Sequence, residues 1–155
     1  MRRLPGASYN DDMDTRQRPA SIEAAPAPRW SVAGRFVDAL GRRDFDTMAG
    51  CLDRSVRLRG LIPPGPFEVV GPEDVMARFR RWFGGPDVFE VVDATVGEVG
   101  PKLYLRWRVT MTPASPSAPT RIAEQHVFAT IDRTILGLDL LCSGFSDCPT
   151  AARDS

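Results

Sequence analysis

One stretch of the chain, Arg121 to Phe145 (RIAEQHVFATIDRTILGLDLLCSGF), holds the single histidine, His126, together with Cys142 and three carboxylates set among apolar residues. His126 is the natural acid/base candidate, because an imidazole titrates near neutral pH. Its neighbours Glu124 and Gln125 read two ways in a strand, where side chains alternate between faces. Either Ala123, Gln125 and Val127 share the pocket face and His126 points away, or Glu124, His126 and Phe128 share it. The second arrangement places an acid and an imidazole two residues apart on one face. A carboxylate buried there would have a raised pKa and could act as a base or proton donor.

Asp139 sits in the apolar run LGLDLL. It is either a third titrating group or an outward residue paired with Arg106, Arg108 or Arg121 on a neighbouring strand. Strict alternation puts Leu138, Leu140 and Cys142 on one face and Asp139 on the other. Cys142 then lines the pocket as a small buried thiol, inert unless a base or positive charge lies beside it.

These residues must be carried by two long strands joined by a turn around Asp132–Arg133. A strand over Lys102–Thr112 precedes them across the PASPSAP loop. In it Leu103, Leu105, Trp107, Val109 and Met111 alternate with Tyr104, Arg106, Arg108 and Thr110. Arg106 and Arg108 share a face with Tyr104. They form either a solvated or dimer-facing row or a site for a substrate carboxylate. Phe89–Val99 reads as the strand before, turned by Gly100-Pro101.

Upstream the periodicity is helical. Val32, Phe36, Val37 and Leu40 line one face of a helix that Ser31 can cap and Gly41 ends. Asp44 or Asp46 caps a short second helix with Phe45, Met48 and Leu52 on one side. SVRLRGL alternates as a short strand. IPPGPFEVV, with three prolines, reads as a loop with a short extended end. GPEDVMARFRRWF is a helix with Pro72 in its first turn, acids at its start and arginines at its end. Val75, Phe79, Trp82 and Phe83 form its buried face. Trp82, Phe83 and Trp107 would serve as walls for a flat, apolar ligand.

The chain is 155 residues long, 43% hydrophobic, with 20 basic and 20 acidic side chains. That predicts one domain with its own core, and the balanced charge excludes the basic face of a nucleic-acid binder. No apolar run is long enough to span a bilayer. The N-terminus lacks the apolar core of a secretory signal. Three scattered cysteines and one histidine suit a reducing cytoplasm and supply no ordinary zinc set. Residues 1–29 read as a disordered tail, 30–145 as the domain and 146–155 as a frayed end.

The element order is helix, short helix, strand, helix and then an antiparallel meander. Together with RFVDALGRRDFDTMAGCLDRSVRL, GPEDVMARF and EQHVFATIDRTILGLDLLCSGF, it resembles the nuclear-transport-factor-2-like superfamily over about Trp30–Phe145. The SnoaL-like and ketosteroid-isomerase-like members are most similar. The resemblance implies an α+β fold, a strongly curved antiparallel sheet wrapped around N-terminal helices as a cone. The cone's open end would be a mostly apolar pocket, and homodimers through the outer sheet face are common in such proteins. It further implies a cofactor-free protein taking a small apolar metabolite of polyketide, terpenoid or steroid type. Members include cyclases, isomerases, dehydratases, epoxide hydrolases and non-catalytic binding modules, and fold alone does not choose among them.

The chain departs from two constellations of that superfamily. Ketosteroid isomerases pair a carboxylate base with a tyrosine and a protonated aspartate. Here Phe36 stands at the tyrosine-like position, Ser55–Leu61 contains no acid, and Gln125 falls near the oxyanion aspartate. The Asp-Arg-Asp relay of limonene-epoxide-hydrolase-like members has no match in Leu105-Arg106-Trp107-Arg108. SnoaL-like cyclases carry a catalytic aspartate near Asp139. The expected enzyme therefore uses His126, Glu124 and Asp139 as titrating groups, and Gln125 orients the substrate. Trp82, Phe83, Trp107, Phe36, Leu138, Leu140, Cys142 and Arg106 would line the site. The alternative is a binding or dimerisation module of the same fold, and convergent titratable groups in the pocket would separate the two.

Overall fold

A computed structural model describes residues 28–149. Helix α1 spans Pro28–Gly41 and buries Ala33, Phe36, Ala39 and Leu40, one stripe at helical spacing. It starts at Pro28, three residues before the expected cap. Proline suits a first helical position because its missing N–H has no partner to lose there. Ser31 therefore lies inside the helix.

Arg43 takes φ +52 after α1. Its guanidinium donates to the carbonyls of Phe83, Gly85 and Asp87 at 2.8–3.2 Å, tying this corner to the end of the third helix. Asp44 caps α2 (Phe45–Gly50) as expected, accepting from the Thr47 N–H at 3.0 Å and its hydroxyl at 2.6 Å.

Strand β1 (Leu52–Ile62) is longer than its alternating core suggests. It turns through Pro63-Pro64 into β2 (Gly65–Val70). The expected loop over Ile62–Val70 is thus a hairpin. Its prolines are tolerated because Pro63 and Pro64 occupy the turn and Pro66 lies on a strand that pairs on one side only. Helix α3 (Pro72–Phe83) buries Val75, Met76, Phe79 and Phe83, and Trp82 is half-buried at its flank. Then follow β3 (Val88–Val99), β4 (Lys102–Thr112), β5 (Arg121–Ile131) and β6 (Ile135–Cys142). A two-residue β7 (Ser146–Asp147) pairs with the start of β5.

The strands form one curved, unclosed sheet of seven, ordered β2-β1-β6-β5-β4-β3 with β7 beside β5. The α+β cone is as expected, with one correction. β1 and β6 run parallel, because the last long strand returns beside the first. Pro28–Arg29 belong to α1 and Ser146–Asp147 to β7. The rest of the expected tails, residues 1–27 and 150–155, lies outside the described residues.

The helices fill the hollow of the sheet. The rings of Phe36 and Phe79 meet edge-to-face at 5.7 Å, and each lies 6.4 Å from Trp107 of β4. All three are fully buried. Among the described residues, the inner face of the sheet opens to a hollow at the mouth.

Candidate functional site

Alternation along β5 settles which face each residue takes. Ala123, Gln125, Val127 and Ala129 are buried, and Glu124, His126 and Phe128 lie on the outer face. Gln125, 1% exposed, is the one buried polar side chain among the described residues. A buried amide must be hydrogen-bonded, and its two strand neighbours do this. Trp107 on β4 and Cys142 on β6 both stand directly opposite Gln125. The Trp107 indole N–H donates to Gln125 Oε1 at 2.8 Å, and Gln125 Nε2 donates to Cys142 Sγ at 3.5 Å. An indole nitrogen can only donate, so it fixes the amide with its oxygen inward and its NH2 toward Cys142. The Gly144 N–H also reaches Cys142 Sγ, at 3.4 Å.

This row ends at a notch of about 290 Å³ in the cone mouth, walled by Ile62, Pro63, Trp82, Cys142 and Phe145 with Gln125 at its floor. The volume falls just below the roughly 300–1,000 Å³ typical of small-molecule sites. One amide N–H of Gln125 serves Cys142, and among the described residues no acceptor takes the other. The notch can therefore hold an apolar body and offer one hydrogen bond to an oxygen. Among the described residues no carboxylate or imidazole lines it.

The other expected residues divide into two sets. Phe36, Phe83, Trp107, Leu138 and Leu140 are buried in the core behind the notch, so they support it without lining it. The reason is steric, since α1 and α3 pack their aromatic rings into the space an emptier cone would leave. Trp82, Gln125 and Cys142 do line it.

His126, Glu124, Asp139 and Arg106 lie on the opposite, outer face. There Glu124 and His126 do meet: His126 Nε2 is 2.9 Å from Glu124 Oε1, and Nδ1 is 2.6 Å from the Tyr104 hydroxyl. Glu124 is also bound by Arg108 and Arg106, and Arg106 by Asp93. The Arg108 hydrogen bond, helped by Arg106 and opposed by burial, holds the Glu124 carboxyl below its ordinary value. Such a carboxylate is a poor base, the opposite of the raised group expected from burial in a pocket.

Asp139 points outward as strict alternation predicts, but its partners differ from those expected. They are Arg59, directly opposite on β1 at 2.7 Å, and Lys102 at 2.6 Å. Burial alone would raise the Asp139 carboxyl, and hydrogen bonds from Lys102 and Arg59 outweigh it and bring it below the ordinary value. All three titrating groups thus lie on the outer face, which is the first of the two arrangements open to β5 and the outward alternative for Asp139.

Sequence reading missed Ile62, Pro63 and Phe145 as pocket walls. The proline turn and the CSGF ending were the available signals. Gly144 takes φ +76 with Pro63 against its α-carbon, which folds that ending back over the mouth. Among the described residues no group of three or more His, Cys, Asp or Glu side chains is placed to hold a metal ion, and no helix is long and apolar enough to cross a membrane.

Solved structures share this fold at low sequence identity. A candidate polyketide cyclase from Xanthomonas campestris pv. campestris superposes with a TM-score of 0.58 at 15% identity, covering 74% of this chain and 89% of the other. An LEH-like epoxide hydrolase from M. tuberculosis gives 0.56 at 17%, covering 75% and 83%. A candidate ketosteroid isomerase from Kribbella flavida gives 0.53 at 16%, covering 81% and 84%. Among curated proteins none matches. The profile of the SnoaL-like domain, in contrast, matches residues 33–135, from the buried face of α1 to the first residue of β6, and so takes in every helix and all but two of the strands. On that match the chain belongs to the SnoaL-like domain family.

Proposed function

We propose that the cone mouth is a binding site for a small apolar molecule carrying one carbonyl or similar oxygen, which Gln125 Nε2 holds by a hydrogen bond. The observation that carries this is the fixed amide. Trp107 locks its orientation, and among the described residues its second N–H has no acceptor, beside a notch walled mostly by apolar side chains with Ser143 and Gly144. The small volume favours a one- or two-ring ligand over a four-ring one. Binding rather than turnover is the leading reading, because the notch contains no carboxylate or imidazole and the titrating groups lie on the other face of the sheet.

A second reading has support of its own. Structural neighbours include proteins described as a candidate polyketide cyclase, a candidate ketosteroid isomerase and an LEH-like epoxide hydrolase. On this reading the domain is a cofactor-free enzyme acting on a polyketide-, terpenoid- or steroid-like metabolite by cyclisation, isomerisation, dehydration or epoxide opening. Gln125 would then polarise the oxygen on which charge develops, and the apolar walls would exclude water and position the substrate.

Trp82 fluorescence tests the first reading. A bicyclic aryl ketone such as 1-tetralone should bind, and the Gln125→Leu variant should lose at least tenfold in affinity. Tetralin, which lacks the oxygen, should bind the wild type as weakly. Equal binding of ketone and hydrocarbon removes the role given to Gln125. Turnover of any ketone or epoxide that survives His126→Ala but not Gln125→Leu would establish the enzyme in the cone.

A further inference from the structure

Two hollows adjoin on the outer face of the sheet, opposite the core. The first, of about 700 Å³, lies where the β1–β2 hairpin curls past β6, and its apolar walls are Leu61, Pro66, Phe128 and Leu141. Leu61 and Leu141 are half exposed there. The second, of about 360 Å³, continues along β1 and β6 and is bordered by Arg57, Arg59, Lys102 and the hydroxyl residues Ser55 and Thr130. Arg59 and Asp139 border both, so the two make one trough, with a mostly apolar end that Glu68 also borders and a cationic end.

The charges do not cancel. Arg59 and Lys102 share the single carboxylate of Asp139, and Arg57 stands 3.6 Å from Glu68. Three cations thus meet two carboxylates. Arg59 spends Nε and one terminal nitrogen on Asp139, and among the described residues its other terminal NH2 has no acceptor; the Lys102 ammonium has three hydrogens, of which Asp139 takes one. One more negative group would complete the set, and charge-assisted hydrogen bonds from arginine are among the stronger available.

We infer that this trough binds a small amphipathic monoanion, a carboxylate with an aliphatic or aromatic body. The body lies over Phe128, Leu61 and Leu141, and the carboxylate sits on Arg59 and Lys102. A second copy of the chain is a poorer occupant, because a two-fold pairing centred here sets hollow against hollow. The inference does not rest on the reading of the cone mouth.

Titration calorimetry of the full chain with dodecanoate tests it. Dodecanoate should bind one per chain, and dodecyltrimethylammonium, with the same tail and the opposite charge, at least tenfold more weakly. Arg59→Ala and Lys102→Ala should each weaken dodecanoate at least tenfold, and Arg59→Lys should restore part of the loss. Leu141→Glu should abolish binding. Carbamidomethylation of Cys142 and Cys148, the first of which fills the cone mouth, should leave the affinity unchanged. Equal affinity for the two surfactants overturns the inference, as does indifference to Arg59 and Lys102 or loss of binding on Cys142 modification. Absence of binding overturns it too, and sedimentation as a dimer that buries Leu141 would name the surface's true occupant.

Discussion

Trp107 and Gln125 stand opposite each other on β4 and β5, and the indole N–H donates to the amide oxygen at 2.8 Å with both side chains buried. The pair is a small polar unit inside an apolar core, and neither partner is satisfied alone. Trp107→Phe leaves the amide oxygen without a donor and should cost about 1–3 kcal/mol for that group alone. Gln125→Leu strands the indole N–H instead. The double variant removes both polar groups and should be more stable than the sum of the single losses. A double-mutant cycle by urea unfolding measures this coupling.

Cysteine reactivity should follow position. Cys51 is buried, and burial pushes its thiol up, so it should resist iodoacetamide until the protein unfolds. Cys142 and Cys148 are half exposed and should react in the native state. Peptide mapping after brief alkylation distinguishes the three. A ligand in the cone mouth should protect Cys142 and leave Cys148 unaffected.

Asp139 gives a pH prediction with a definite sign. Its folded carboxyl is held below the ordinary value near 3.9. The stabilisation it provides is therefore present above about pH 4 and is lost as pH falls through the folded value. Asp139→Asn should lower stability at pH 7 by at most about 1 kcal/mol, because the cluster is partly solvated. The difference from wild type should shrink as pH falls below about 4. Urea midpoints at pH 7, 4 and 2.5 check both the size and the direction.

The mouth itself is sensitive at Gly144. An added Cβ would lie 3.0 Å from Pro63 Cγ, at a φ of +76 that side chains rarely adopt. Gly144→Ala should cost about 1–2 kcal/mol and displace Phe145 from the notch wall. Ligand affinity at the mouth should fall with it. An unchanged melting temperature would mean the CSGF ending can rearrange freely.

The periodic parts of this fold are legible in the sequence. The alternation of Leu103, Leu105 and Trp107 with Tyr104 and Arg106 fixes the faces of β4, and Val75, Phe79 and Phe83 fix the buried side of α3. What stayed open depends on contacts between distant segments. The pattern around His126 suits either parity, because Val127 and Phe128 are equally apolar, and only pairing with Trp107 and Cys142 decides it. The Arg59–Asp139 pair joins residues 80 apart across a parallel contact that no local pattern signals. β2 was hidden by its prolines, which exclude a central strand but not an edge. The notch was partly legible, since Gln125, Trp82 and Cys142 were identified. Its other walls come from a turn and a chain end whose course the sequence does not specify.

The parallel seam between β1 and β6 also sets an order of events. β1 cannot complete its hydrogen bonds on that side until β6, with Leu138 opposite Leu58, has been synthesised and has folded back. On a ribosome the first strand must wait with one edge open while all the intervening chain emerges. Closing so long a loop is entropically slow, and an open apolar edge in the meantime invites association with other chains. A chain cut after Ile131 would keep β1 in that waiting state permanently. It should aggregate during synthesis even though all three helices and most of the core residues are present.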